Sequence, residues 1–149
     1  MKNERDKLYL AALLHDIGKF YQRTDTGNVQ TSRFLSSEIK NSESIFCSKG
    51  QNSKYTHKHV LWSAQFIYDH RQVFANLTNG HQLTDLSNKD ELLNLVASHH
   101  LQEDQLSELG RLIKKADHLS SGMDRNTPEA LKDDQAETSW ESFKKIRMT

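Results

Sequence analysis

The chain has almost no cysteine and no excess of either charge. Its 149 residues include one cysteine, Cys47, which excludes an internal disulfide and a zinc cluster of several thiolates, and fits a reducing compartment. Twenty Lys and Arg residues balance twenty Asp and Glu residues, so the whole molecule has no field that would attract nucleic acid. Any polyanionic substrate would therefore be held by a metal, a local patch or a partner chain.

The chain also lacks a segment that could cross a membrane. No apolar run approaches the roughly 18 residues that a bilayer-spanning helix needs, and residues 1–7 are too polar for a signal peptide. Hydrophobic residues make up 35% of the chain and charged residues 27%, with a mean hydropathy of −0.80. We therefore expect no membrane partner, a cytoplasmic location and one domain's worth of core, enough for a single active site.

Apolar residues recur every three or four positions in four stretches, which is typical of helices with one buried face. The predicted helices span residues 6–20, 59–77, 87–99 and 104–119. The third opens at a capping box formed by residues 87–90. Residues 24–58 carry many serines and few apolar positions, so we expect a long loop with one short helix near residues 34–39. The sequence thus predicts an all-α bundle with a long loop between its first two main helices.

Two polar residues, His15 and Asp16, stand side by side in the otherwise apolar first helix. A buried carboxylate normally finds a cation, a hydrogen bond or a metal, because leaving it unpartnered is costly. Adjacent ligands on one rigid backbone suit a metal, and the alternative is a buried or capping histidine beside a solvated aspartate. Lys19 follows one turn later, where its cation could lie beside a phosphate or favourably near the helix C-terminus.

Three further residues could contribute to a metal site. His99 and His100 are adjacent, and neutral imidazole is a common ligand of zinc, manganese, iron, cobalt and nickel. Alternatively, His99 is a satisfied core histidine and His100 a surface residue. Asp117 falls at a core register of the fourth helix, where an acid is rarely kept for packing. Its alternative is a hydrogen bond to a helix end or an ion pair with Lys114 or Arg125.

His59 begins the second helix, one turn before the small residues Ser63 and Ala64, which would let another helix approach closely. The remaining histidines have no comparable context and are interpreted as surface residues. They are His57, His70, His81 and His118.

Six hard or borderline ligands from four helices, with no thiolate among them, describe a site for one or two divalent ions. They are His15, Asp16, His59, His99, His100 and Asp117. Such a site is suited to hydrolysis of phosphate esters by metal-activated water.

Residues 12–19 read Ala-Leu-Leu-His-Asp-Ile-Gly-Lys, which resembles the HDxGK segment of the HD phosphohydrolase superfamily. A longer set of segments resembles the N-terminal HD domain of the large signature subunit of type III-A CRISPR-Cas interference complexes. These segments are residues 10–23, 59–64, 98–100 and 115–125. The resemblance spans residues 9–125 and implies an HD-type helical bundle.

The resemblance also implies an activity. It is typical of a metal-dependent nuclease that hydrolyses single-stranded DNA within a multi-subunit, RNA-guided complex. The partners would then be the DNA, the guide RNA and the other subunits of the complex. One or two ions of manganese, nickel or cobalt would support the reaction.

The same resemblance implies roles for individual residues. His15 and Asp16 would be the core metal ligands, and Asp117 the closing carboxylate. The other three histidines of the six-residue set would be further ligands or phosphate contacts. Lys19 would support the scissile phosphate, which makes Asp16 and Lys19 the residues expected to be catalytic.

One departure from the HD pattern concerns the residues upstream of the HD pair. Typical HD enzymes have an additional histidine there, and none of the fourteen residues before His15 is a histidine. The first metal would therefore have fewer protein ligands, an arrangement that the CRISPR-type HD domains resemble. We expect residues 1–125 to form the HD domain and residues 126–149 to be a linker toward further domains.

Two other functions remain open from the sequence. An HD phosphohydrolase acting on a small nucleotide would use the same ligands, with Lys54 and Tyr55 of the long loop enclosing the substrate. A non-catalytic helical assembly module would keep the metal site as a structural element.

Overall fold

A computed structural model of the chain describes residues 2–77 and 84–122. Within those ranges the fold is all-α, as predicted, with no strand and one isolated antiparallel bridge between Lys49 and Tyr55. The α-helices are α1 (Lys2–Leu14), α2 (Gly18–Thr24), α3 (Ser37–Asn41), α4 (Glu43–Phe46), α5 (His59–Asp69), α6 (Arg71–Leu77), α7 (Leu92–Ala97) and α8 (Glu108–Gly122). No helix in the described ranges has both the length and the apolar composition that a membrane span requires.

The chain divides into two compact units, Met1–Lys115 and Ala116–Thr149. The first contains α1 to α7 and the beginning of α8. The second is described only for residues 116–122, which are the last part of α8. The domain boundary predicted after residue 125 lies outside the described residues.

Helix α5 lies at the centre of the first unit. Residues 59–65 are all buried, and the indole of Trp62 is almost fully enclosed. Helices α2 and α7 pack against α5, α3 and α4 also contact it, and α1 packs on α7. A helix with apolar residues around most of its circumference belongs inside a domain rather than at its surface, and Val60, Leu61 and Ile67 of α5 are fully buried there.

The single helix predicted over residues 6–20 is wrong, because the chain turns at residues 15–17. Helix α1 ends before this turn and α2 begins after it. In a continuous helix the Gly18 amide would donate to the Leu14 carbonyl. It donates instead to the Oγ atom of Ser63, at 2.9 Å. A hydrogen bond to α5 therefore replaces one that the broken helix loses.

The approach of α2 to α5 at Gly18 leaves no room for a side chain. A Cβ atom at Gly18 would lie 2.0 Å from the carbonyl oxygen of His59 and 2.4 Å from the amide nitrogen of Ser63. The Ser63 hydroxyl also donates to the His15 carbonyl, at 3.0 Å. The sequence analysis predicted that small residues next to His59 would let another helix approach closely. This prediction is confirmed at Ser63 of α5, which α2 contacts through Gly18.

Residues 24–58 are more ordered than the predicted loop. Two short helices, α3 and α4, replace the single one predicted near residues 34–39. Five side chains of the segment are buried in the hydrophobic core: Val29, Leu35, Ile39, Phe46 and Cys47. The segment therefore covers one side of α5 rather than extending into solvent.

Asp25 anchors this segment to α5. Its carboxylate accepts hydrogen bonds from the Trp62 indole at 2.9 Å and from the Arg33 amide at 3.1 Å, and it also accepts one from the Ser32 hydroxyl. Desolvation raises the pKa of Asp25, but these hydrogen bonds to the ionised form outweigh it and hold the pKa well below its ordinary value.

The third predicted helix is shorter than expected. The capping box at residues 87–90 is wrong, because the Ser87 hydroxyl donates to the Asp85 carboxylate, at 2.7 Å. Helix α7 begins after Glu91, which makes no side-chain capping bond. His99 therefore lies in the turn that follows α7 rather than on the helix itself.

Two other helix predictions also need correction. The helix predicted over residues 59–77 is interrupted at His70, between α5 and α6. Helix α8 begins at Glu108, four residues later than predicted. Ala116, which the apolar spacing of residues 104–119 would place on the buried face of that helix, is exposed.

We expect the Gly18→Ala variant to lower the free energy of unfolding by at least about 2 kcal/mol, because the added methyl group meets backbone atoms that no rotamer change can move. Urea unfolding followed by circular dichroism measures the loss. Gly110→Ala is the matched control, since its Cβ would find ordinary contacts at 3.4 Å or more and alanine favours a helix. Equal stability of Gly18→Ala and the parent protein would contradict the close approach.

Candidate metal centre

Five of the six predicted ligands lie on three segments of the first unit: His15, Asp16, His59, His99 and His100. The first two lie in the 15–17 turn, the third starts α5, and the last two lie in the turn after α7. The contact of α2 with α5 fixes the first segment on the second, and the packing of α7 on α5 places the third.

Four of these residues form one cluster. Asp16, His59, His99 and His100 each offer a ligand atom, and these atoms all lie within 4.8 Å of one another. The Oδ1 atom of Asp16 lies 3.2 Å from Nε2 of His59 and 3.8 Å from Nε2 of His99. The two Nε2 atoms of His59 and His100 face each other at 3.3 Å. The cluster thus joins one carboxylate oxygen and three imidazoles.

Two atoms of the cluster are buried without a hydrogen bond in the described part of the chain: Oδ1 of Asp16 and Nε2 of His99. Nδ1 of His99 lies 2.9 Å from the Val96 carbonyl oxygen, so this nitrogen carries the proton and Nε2 presents its lone pair. A buried polar atom without a partner costs about 1–3 kcal/mol. One carboxylate with three imidazoles is a donor set that suits a divalent transition metal, so the residues fit such an ion.

Comparison with known proteins agrees with this chemistry. The family model described as the HD domain matches residues 1–122. The chain belongs to the HD domain family. No curated protein and no solved structure matches it. HD domains are generally metal-dependent hydrolases. Membership of this family, together with the cluster, supports a metal-dependent phosphohydrolase activity for the chain.

The buried histidines of this HD domain are held in the form that binds metals. Burial lowers the pKa of His59 to about 4, against the opposing effect of the Asp16 charge. Burial also lowers the pKa of His99 to about 3, with the charge of His15 as the next cause. Both imidazoles are therefore neutral near pH 7, and neutral imidazole is the metal-ligating form.

Asp16 is held as a carboxylate. Burial raises its pKa, but the hydrogen bond from Lys19 and the charges of His15, Lys19 and His59 outweigh that effect, so the pKa lies below its ordinary value. The Nζ atom of Lys19 donates to Oδ2 of Asp16 at 2.7 Å. Lys19 lies in the first turn of α2, so the alternative of a charge near a helix C-terminus is wrong.

His15 lies beside the four-residue cluster. Its Nδ1 atom is 2.7 Å from the Ala12 carbonyl oxygen, and its Nε2 atom is 3.5 Å from Oδ2 of Asp16. The His15 ring packs edge-on against the His99 ring, with 4.8 Å between their centroids. Its role as a metal ligand stays a prediction.

Asp117 lies on α8, in the second unit of the chain. Its side chain is half-buried, and its backbone carbonyl accepts hydrogen bonds from the Ser120 and Ser121 hydroxyls, at 2.9 and 2.7 Å. Its role as the closing carboxylate stays a prediction.

One residue next to the cluster was missed by the sequence analysis. The exposed side chain of His57 stacks on the His100 ring, with 4.0 Å between the ring centroids and 22° between the ring planes. Its place two residues before His59 was the one signal in the sequence, and it is a weak one.

The other histidines interpreted as surface residues have different outcomes. His118 is exposed, as predicted. His70 is half-buried, with its ring centroid 4.4 Å from that of Phe66, so the surface prediction is wrong there. His81 lies outside the described residues.

The lowered pKa values predict that the metal-free protein loses stability in mild acid. The ordinary histidine pKa is 6.5. As the pH falls from that value to about pH 5, His59 and His99 become protonated in the unfolded chain but stay neutral in the folded protein. The free energy of unfolding must therefore fall as the pH falls. For two such groups the fall from pH 7 to pH 5 is on the order of 3 kcal/mol, measurable by urea unfolding in the presence of a chelator.

The matched variants for this measurement are His99→Gln and His118→Gln. The first removes one of the two buried imidazoles and should make the pH dependence shallower, whereas the second removes an exposed one and should leave it unchanged. A stability that stays level from about pH 7 to pH 5 would show that these imidazoles are not held neutral.

Proposed function

We propose that this HD domain is a metal-dependent nuclease that cleaves single-stranded DNA within a type III-A CRISPR interference complex. The observation that carries the hydrolase part is the cluster of Asp16, His59, His99 and His100, in which two buried ligand atoms make no hydrogen bond in the described part of the chain. The resemblance of residues 9–125 to CRISPR-type HD domains supports the choice of substrate and complex.

The cluster residues would hold a divalent transition metal, which we propose to be manganese, nickel or cobalt, as one or two ions. When bound, the ion would supply activation of water near neutral pH and neutralisation of phosphate charge. The buried imidazoles are ready to bind it because they are already neutral. Asp16 adds the negative charge that compensates the cation, and its low pKa keeps it ionised.

Lys19 has two roles in this proposal. Its Nζ atom lies 2.7 Å from Oδ2 of Asp16, which orients the carboxylate so that Oδ1 faces the imidazoles. Its side chain is 48% exposed, so the ammonium group also faces solvent, where it can bind a phosphate oxygen of the substrate. We further propose His15 as a metal ligand and Asp117 as the closing carboxylate.

The accessibility of the site supports an extended substrate. One third of the Asp16 side chain is exposed, so a phosphodiester can approach without passing into an enclosed cavity. The balanced charge of the chain provides little affinity for DNA, which usually depends on several Lys or Arg contacts with phosphate. We therefore propose that guide RNA and the other subunits bring the DNA to this domain.

The test uses protein stripped of metal and then supplied with manganese, nickel or magnesium. The substrates are labelled single-stranded DNA, duplex DNA, single-stranded RNA and a panel of nucleotides. We expect weak, sequence-independent cleavage of single-stranded DNA with manganese or nickel. Asp16→Ala should reduce the rate by at least about 100-fold, because even groups that only hold a metal ligand in place are worth about 10- to 100-fold.

The matched control is Asp104→Ala, which removes an exposed aspartate and should leave the rate unchanged. Hydrolysis of nucleotides without cleavage of DNA would replace this proposal with a small-nucleotide phosphohydrolase. No hydrolysis of any substrate by a folded, metal-loaded protein would favour a non-catalytic assembly module.

A further inference from the structure

We propose that His57 is a positioning residue, which holds His100 in place for metal binding by stacking its imidazole ring on the His100 ring. The inference rests on the proposed function, since it concerns the same metal site. It adds a residue that lies outside the six predicted ligands and contributes no atom to the four-residue cluster.

The first observation is the geometry around His100. The ring of His57 lies nearly parallel to that of His100, with 4.0 Å between the centroids. On another side, the His59 ring meets the His100 ring at 84°, with 5.1 Å between the centroids. Nε2 of His100 then lies 3.3 Å from Nε2 of His59. Because the His57 stack restricts rotation of the His100 ring, it helps to hold that nitrogen in the cluster.

The second observation is how the chain fixes His57. Its Nδ1 atom lies 3.0 Å from the Thr56 hydroxyl, which donates in turn to the Ser48 carbonyl at 3.1 Å. The Thr56 amide also donates to that carbonyl, at 2.8 Å, next to the bridge between Lys49 and Tyr55. An ordered turn of the chain therefore sets the orientation of an otherwise exposed side chain.

The third observation is the backbone at His57. Its φ angle is +55°, in the left-handed region, which costs an L-residue about 1–2 kcal/mol. Such conformations persist where the surroundings over-determine them, and they are concentrated at functional sites. Here the left-handed residue stands directly before α5, where it connects the turn to the helix that begins with His59.

The test compares two variants that separate the ring from the backbone. His57→Asn removes the ring but suits a left-handed backbone, since asparagine adopts this region readily. His57→Phe keeps a flat ring but offers no nitrogen and fits the backbone less well. A positioning role therefore predicts that His57→Phe binds metal more tightly than His57→Asn, although phenylalanine fits the left-handed backbone less well.

The measurement is titration of the stripped protein with Co²⁺, followed by its visible absorption, with urea unfolding as a check on each fold. We expect His57→Asn to bind Co²⁺ about 10-fold more weakly than the parent protein, as is typical for the loss of a group that holds a ligand in place. His57→Phe should stay within about threefold of the parent, because it keeps the stack. His118→Asn, at an exposed position, is the control and should bind like the parent.

Three results would overturn the inference. Equal weakening in His57→Phe and His57→Asn would mean that a nitrogen of His57 matters rather than its ring. Parent-like binding by both variants would mean that the stack has no effect on the metal, and the proposed function would still stand. Absence of Co²⁺ binding by the parent protein would remove both this inference and the proposed metal site.

Discussion

The candidate site depends on the contact between Gly18 and Ser63. The absence of a side chain at Gly18 lets the start of α2 touch the backbone of α5, and the nearest atom is the carbonyl oxygen of His59. The Ser63 hydroxyl accepts from the Gly18 amide and donates to the His15 carbonyl. One hydroxyl therefore fixes the turn that carries Asp16 against the helix that begins with His59. The separation of these two ligands follows from backbone contact rather than from flexible side chains.

The residues of the cluster lower the stability of the metal-free fold. It holds two imidazoles that burial keeps neutral and a carboxylate oxygen that makes no hydrogen bond in the described part of the chain. Groups of this kind are retained at functional sites because the surrounding structure tolerates their cost. Here the surroundings are the apolar contacts of α5 with α7, where Leu61, Trp62 and Leu92 are almost completely enclosed. A rigid apolar core thus supports a polar site that opposes folding.

Much of the fold and of the site could be predicted from residue types and spacing. The all-α class follows from apolar periodicity, and the chemistry of Asp16 and the histidine pair singled out residues that the structure brings together. The break after α1 could not be predicted, because the hydrogen bond that replaces the helical one comes from a residue 45 positions away. The capping box at Ser87 failed because a nearby aspartate competes for the same hydroxyl. The proposed role of His57 depends on contact with the His100 ring, which lies far along the chain in the turn after α7. Local sequence patterns do not encode such a contact.

The spacing of the ligands along the chain has a consequence for how the protein is made. His59 and His100 are 41 residues apart, and Asp16 precedes His59 by a similar interval. Ligands a few residues apart can gather around an ion before the rest of a domain folds, but these can meet only after long loops have closed. During translation, the complete four-residue cluster cannot form until the turn after α7 has left the ribosome. The metal would therefore bind after most of the first unit has folded, and it would stabilise that fold rather than initiate folding.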